Sequence, residues 1–352
     1  MTRLLLIALL CAPLCAQVKV GDDAPDFSPR NWINPPTFNS FDELAGDVIL
    51  LKAWGINCTG SMSQLDATNK LAETPGLHVV TFYAQTHKLE QIEAVVKSNN
   101  IKYPIALDET PWLAGYDAPD LPKVWIIGTD GIVKFAGTDT YDEALKAELA
   151  KVKYPGLGKH SIAKGLEPAA KLFVAGKFKE AYDLAEKMFD ETDDEAEEND
   201  ADWIMKRIDG RMNTLSVRAA TSEVLKEYTL AMRCWEELAR YKGLDDAEEA
   251  PGRLKKLQES ADVKKEVAAR RSLLMLMCDL DVEFQVLDDS EPATVKAFRE
   301  KCLKAYQEFA SANKGTGAAD RADELVKAFK QLLGIPDEPA KDPVKQEPPK
   351  KD

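Results

Sequence analysis

The sequence predicts two domains, an α/β domain with a central sheet flanked by helices and then an all-α domain. Three observations carry that prediction. Over roughly the first 150 residues, short apolar runs rich in β-branched and aromatic residues alternate with stretches of helical spacing. From Pro168 to Gly334 helical periodicity is then almost unbroken, and between the two regions lies Tyr154-Pro-Gly-Leu-Gly158, a turn-rich boundary. A chain of 352 residues suits two domains, since one commonly takes about 100–200 residues. The expected bounds are a leader over 1–16, the α/β domain over 17–153, the helical domain over 154–335 and a disordered tail over 336–352.

Residues 48–51 are the first strand. The run is short and aliphatic, includes the β-branched Val48 and Ile49, and is bounded by Gly46-Asp47. From about Gly60 the spacing turns helical, and Pro75-Gly76 ends that helix. Residues 77–84 make a second buried strand by their β-branched and aromatic content. Leu89, Ile92, Val95 and Val96 stand at helical spacing, so a crossover helix follows. Strand, helix and further strand in this order imply right-handed parallel pairing. Residues 101–108 read as a loop with a short segment. Two apolar runs then flank Asp130-Gly131, a hairpin signal, and a helix over 141–152 closes the domain.

In the second half, residues 171–185 read as one helical hairpin of tetratricopeptide-like character, with Gly176 at the turn and Ala181 where two helices approach. No regular repeat register follows, so a degenerate helical repeat and an irregular bundle both remain open. Long periodic stretches are expected at about 203–241, 253–287, 292–310 and 318–333. Their Met and aromatic stripes, such as residues 273–277 and Trp235, are read as core. The acidic run 190–200 lacks the central glycine and ligand spacing of a calcium loop, so a solvated interhelical loop is expected. The tail from Pro336 is rich in Pro, Lys, Glu and Asp and almost free of apolar residues.

With 46 basic and 60 acidic residues the formal net charge is −14, which excludes attraction to nucleic acid or an anionic membrane surface. Residues 1–16 carry Arg3, an apolar run over 4–10 and Cys-Ala-Pro-Leu-Cys-Ala16, the pattern of a secretory signal peptide. Cleavage after Ala16 is preferred to lipidation at Cys11 or Cys15, because Leu10 and Leu14 stand where a lipidated leader has a small residue. No later stretch is long enough to be a transmembrane helix. Export leaves Cys58, Cys234, Cys278 and Cys302. A Cys278–Cys302 disulfide is open, but burial of the three late cysteines as small hydrophobes on helices is the favoured reading. His78, His87 and His160 lie far apart, no metal-ligand spacing occurs, and no cofactor is expected.

Cys58 sits where the first strand gives way to a helix N-terminus. Unpaired N–H groups and the helix dipole favour an anion there, and a thiolate is such an anion. Strand, Trp54-x-x-x-Cys58, helix resembles the thioredoxin-like superfamily, whose active site is Trp-x-x-x-Cys-x-x-Cys at this junction. Residues 18–27 (VKVGDDAPDF) are similar to the opening of its redoxin branches, those of the alkyl hydroperoxide reductase and thiol-specific antioxidant type and of the cytochrome-maturation type, where the motif precedes a short hairpin. Leu121-Pro122 matches the strand-start proline that is cis in the superfamily and faces the active-site cysteine. The matches together cover residues 18–152.

The resemblance implies a thioredoxin-like central sheet and thiol-disulfide exchange, with Cys58 the nucleophile and with Trp54, Leu121 and Pro122 shaping a substrate groove. Two positions depart from the pattern. Ser61 stands where the resolving cysteine is expected, so a mixed disulfide at Cys58 waits for an external thiol. Lys52 stands where thioredoxins often carry a buried carboxylate. It either places a positive charge near Cys58 that favours the thiolate or snorkels to solvent from a strand end. A peroxidase is the weaker enzyme reading, because the Pro and Thr of the peroxiredoxin Pro-x-x-x-Thr-x-x-Cys pattern are Leu51 and Gly55 here. The favoured function is thiol-disulfide exchange on exported thiol or disulfide proteins, periplasmic or extracellular, with a small-molecule thiol as possible co-reductant. A binding or scaffold protein in which Cys58 is inert is the alternative from a different class.

Overall fold

The structure is a computed structural model that describes residues 17–138 and 140–336. The expected leader, and all but the first residue of the expected tail, lie outside the described residues. The chain divides into two compact units, Met1–Gln285 and Val286–Asp352.

The first unit begins with six strands, β1 (Trp32–Ile33), β2 (Val48–Trp54), β3 (Leu77–Tyr83), β4 (Ile105–Ala106), β5 (Lys123–Ile127) and β6 (Val133–Gly137). They form one sheet in the order β1-β4-β3-β2-β5-β6. β2 is central, parallel to β3 from Val48↔Leu77 to Trp54↔Tyr83 and antiparallel to β5 from Ile49↔Ile127 to Ala53↔Lys123. Every β2 residue is buried, which is why the sequence run is continuously apolar rather than alternating. Val48, Leu50 and Trp54 face one core with Val79, Tyr83 and Val124, while Ile49, Leu51 and Ala53 face the other with Phe82, Tyr116 and Trp125. The strand runs three residues past its expected end, through Lys52.

Five helices accompany this sheet: α1 (Thr59–Ser63), α2 (Leu65–Leu71), α3 (Leu89–Ser98), α4 (Thr110–Leu113) and α5 (Asp142–Leu149). α1 and α2 were expected as one helix, and the chain breaks it at Gln64. The opening motif departs from its expectation too, since no hairpin follows it. Instead it lies along the start of β6, with Gly21 N donating to Val133 O (2.9 Å) and Val133 N to Asp22 O (2.9 Å). The strand after it, β1, pairs with β4. Asn34 at φ 55° and Pro35-Pro36, which offer no N–H groups, turn the chain away before a hairpin can form.

Six helices complete the unit: α6 (Glu167–Val174), α7 (Phe178–Glu191), α8 (Glu195–Val224), α9 (Tyr228–Leu238), α10 (Ala250–Glu259) and α11 (Ala261–Gln285). Gly176, at φ 72°, makes the turn between α6 and α7 as expected, and Phe173 meets Phe178 edge to face at 5.4 Å. The stretches expected at 203–241 and 253–287 are each two helices, broken near Lys226 (φ 58°) and at Ser260. The acidic run is only in part a loop. Asp194 caps α8 by accepting from Ala196 N (2.8 Å) and Glu197 N (3.2 Å), and Glu195, Glu197 and Glu198 occupy the first turn, where the dipole favours negative charge.

The helices close on the sheet domain through specific contacts. Asp47, buried at the start of β2, accepts twice from Gly156 N (2.9 and 3.1 Å) and pairs with His78 Nε2 (2.8 Å). Arg207 of α8 donates to Gly156 O (2.8 Å) and Glu43 O (2.9 Å). Arg211 bridges Glu43 (3.1 Å), Glu237 (2.6 Å) and Thr37 (3.0 Å). At the other end α11 meets α3 and the loop before it through Arg271–Glu93 (2.5 Å), Lys88–Asp279 (3.5 Å) and Gln285 Nε2 to Thr86 Oγ1 (2.6 Å).

The second unit holds α12 (Pro292–Ala312) and α13 (Gly317–Leu332), with Thr316 capping α13 (Ala319 N to Oγ1, 3.0 Å) and Tyr306 against Phe329 at 5.6 Å. Cys58, Cys234, Cys278 and Cys302 are all outside disulfides. Cys234 and Cys302 are buried as expected, whereas Cys278 is only half-buried, because it sits on the flank of α11 rather than in a helical core.

Candidate active site

β2 delivers Trp54 and Gly55 to a short loop, and Cys58 caps the helix that follows. Cys58 has extended backbone (φ −105°, ψ 108°), and its Sγ accepts from Ser61 N at 3.3 Å, so the sulfur takes one of the donors that a helix start leaves unpaired. On its other side the thiol donates to Leu121 O at 3.1 Å. The Leu121–Pro122 peptide is cis, as the resemblance implied, and a Cβ on Gly60 would stand 3.2 Å from Pro122 Cδ and 3.8 Å from Cys58 Sγ. A parallel β2–β3 pair flanked by the antiparallel β5–β6 hairpin, with a cysteine at the end of the central strand facing a cis-proline, decides the architecture. The fold is thioredoxin-like.

Comparison with known proteins finds remote similarities over the first part of the chain. The chain is similar to the thioredoxin-like protein YneN of Bacillus subtilis (strain 168), 24% identical over 132 residues, which are 36% of this chain and 76% of that one. Among solved structures it resembles a putative thiol:disulfide interchange protein DsbE from Chlorobium tepidum (22% identity, 38% of this chain and 97% of that one, TM-score 0.31). It also resembles a secreted thiol-disulfide isomerase from Corynebacterium glutamicum (20% identity, 32% of this chain and 74% of that one, TM-score 0.28). No protein-family profile matches the chain.

Lys52 does not snorkel. It is 1% exposed in the middle of β2, on the face covered by α1 and α2, and its Nζ donates to Gln64 Oε1 (2.8 Å) and Thr68 Oγ1 (3.2 Å). Strand continuation through residue 54 removes the solvent exit that a strand end would have offered. Burial pushes the ammonium down from 10.5 to about 8, partly offset by the charge on a Cys58 thiolate. Ser61 lies under Cys58, wholly buried, and its Oγ has no hydrogen-bond partner.

Trp54 is not a groove residue. Its ring is buried in the thioredoxin-like core, donating from Nε1 to Thr81 Oγ1 (3.3 Å) and meeting Tyr83 edge to face at 5.2 Å. An even position on β2 points into the helix-covered face, which decides its direction. Leu121 is half-buried and contributes its carbonyl to the cysteine.

Several site residues carried no signal that sequence reasoning used. Gln85 accepts from Asn57 N (2.8 Å) beside Cys58, and its side chain lies over Gly55, whose Cβ would come within 2.3 Å of it. Tyr83 OH accepts from Ile56 N (3.4 Å) and pairs with His87 Nδ1 (2.6 Å). Gln64 and Thr68 were findable: a lone lysine in a buried strand demands polar partners, and these two stand four apart, at the start of α2 and within it.

Proposed function

We propose that this is an exported monothiol oxidoreductase that carries out thiol-disulfide exchange through Cys58. The observation that carries the reading is the position of the Cys58 sulfur, held by the Ser61 amide at a helix start and facing the carbonyl before cis-Pro122. In this geometry an extended substrate strand has Pro122 as a wall and Leu121 as a neighbour, and the thiolate is the attacking group. Lys52 supplies a buried positive charge beneath it. Ser61 has no thiol, so release of the first partner falls to another thiol. Exported proteins with disulfides or thiols are the substrates that fit, with a small thiol as co-reductant. The location, periplasmic or extracellular, follows from the leader pattern in the sequence; no helix among the described residues is long and apolar enough to cross a membrane.

The test is reduction of insulin in the presence of glutathione. Wild type is expected to be active, Cys58→Ala to lose activity by about a hundredfold or more, and Ser61→Cys to release one reduced insulin disulfide per chain even without glutathione, ending as an internal disulfide. An inactive wild type, with no disulfide trapped at Cys58, would overturn the proposal. One observation favours a second reading, a binding module: Val217 and Val224, seven residues apart on α8, and Leu225 just after it are exposed, with Val224 at 81%. A binding module keeps its partner after Cys58→Ala, and an exchange enzyme does not. Peroxidase chemistry gains no support, because the position of the expected threonine is Gly55, overlaid by Gln85.

A further inference from the structure

Residues 55–57 carry the chain from the end of β2 to Cys58, and whatever holds this loop sets where the sulfur stands. Cys58 N donates to Gly55 O (3.2 Å), which closes the loop as a turn. The next two amides are held from outside the turn, by side chains at the end of β3 and just beyond it. Gln85 Oε1 accepts from Asn57 N (2.8 Å), and Tyr83 OH accepts from Ile56 N (3.4 Å). A bond of that second length is weak, so the state of the tyrosine hydroxyl decides how much it holds.

The Tyr83 ring is wholly buried and meets Trp54 edge to face at 5.2 Å, so its oxygen is fixed and only its proton turns. His87 Nδ1 stands 2.6 Å from that oxygen, the shorter of its two contacts. A hydroxyl that accepts from Ile56 has one proton to give. Giving it to His87 requires a bare Nδ1, hence a neutral imidazole with its proton on Nε2. An imidazolium carries protons on both nitrogens and has to donate to Tyr83 instead. The tyrosine proton then leaves that line, the oxygen takes two incoming donors, and the long bond from Ile56 is the one that yields. The groups facing His87 are Tyr83 from β3 and, from α11, Asp281 and Cys278, which share with it a cavity of about 20 Å³, room for one water molecule. Lys88, next in the chain, pairs with Asp279 (3.5 Å).

We propose that His87 is a positioning residue of the Cys58 site, acting through Tyr83 on the loop 55–57, an inference that rests on the exchange reading above. The neutral imidazole takes the Tyr83 proton and leaves the hydroxyl oxygen to hold Ile56 N, two residues before Cys58. On taking up a proton from solvent at Nδ1, His87 reverses that bond, and the loop rests on Gln85. Histidine is the side chain that ordinarily changes charge between about pH 5 and 8. Exchange at Cys58 is therefore weakened on the acidic side of that window through the position of the loop, in addition to any loss of thiolate.

Insulin reduction with glutathione is measured across that pH window for the full chain as wild type, His87→Asn and Tyr83→Phe. Asn offers an acceptor near the place of Nδ1 and takes no proton, and the ratio to this variant cancels the ionisation of Cys58. The ratio of kcat/KM, wild type to His87→Asn, is expected to fall by about fivefold from the alkaline to the acidic end, while the ratio of Tyr83→Phe to His87→Asn stays level. In wild type alone, the NMR shift of the Ile56 amide is expected to follow the His87 ring signals with a single midpoint. A wild-type ratio that stays level, or an Ile56 amide that stays still while the His87 ring titrates, overturns this inference alone. A wild type that reduces no insulin at any pH overturns the exchange reading and this inference with it.

Discussion

Lys52 is held in opposition by two forces: two hydrogen bonds that want an ammonium, and a core that resists its charge. Between about pH 8 and 10.5 the unfolded chain keeps a proton that the folded protein has released, so this residue makes stability rise with pH across that window. Relative to Lys52→Met, wild type should gain about 3 kcal/mol over the window, the free-energy equivalent of the shift, measurable as urea midpoints against pH. A flat difference would mean that the lysine reaches water in solution. Much of this was legible in the sequence: Cys58, its missing partner at 61 and the odd lysine at 52 all stood out from their neighbours. The direction of Lys52 did not, because a strand end and a strand middle look alike when the residues after it, Ala53 and Trp54, suit either.

At the scale of elements, the close approach of α1 to the start of β5 shapes the groove. Gly60 leaves the space beside Pro122 that any side chain would take. Gly60→Val should lower kcat/KM for insulin reduction by about tenfold while the melting temperature moves little, since the added methyls meet the groove rather than the core. An unchanged kcat/KM would place the substrate elsewhere. β2, β3, α3 and the β5–β6 hairpin followed from period and turn chemistry. What escaped were the features fixed by tertiary partners: the break between α1 and α2 at Gln64, whose side chain is drawn to Lys52, and the opening segment that lies on β6 instead of folding on itself. The acidic run shows a different failure, since a string of carboxylates reads as solvated loop until Asp194 is recognised as a cap with three glutamates behind it.

For the whole molecule, Arg211 is the residue on which the helices and the thioredoxin-like layer depend together. It reaches Glu43 and Thr37 on one side and Glu237 on the other, and the pull of these carboxylates outweighs burial to raise its guanidinium above the ordinary value. Arg211→Ala strands both glutamates and should cost about 2 kcal/mol, with the amides of residues 37–46 exchanging faster in hydrogen-exchange measurements. Protection unchanged in that segment would show that the helices do not support it. The boundary at 154–158 was visible as a cluster of Pro and Gly, yet those residues do not act as a hinge. Asp47 grips the amide of Gly156 with both oxygens while Arg207 grips its carbonyl, so the turn is clamped from the sheet side and the helix side at once. A chain cut at that visible seam would uncover a buried carboxylate on one fragment and an arginine on the other. The seam is a rivet, and a fragment meant to fold by itself has to extend to Gln285, where the first compact unit ends.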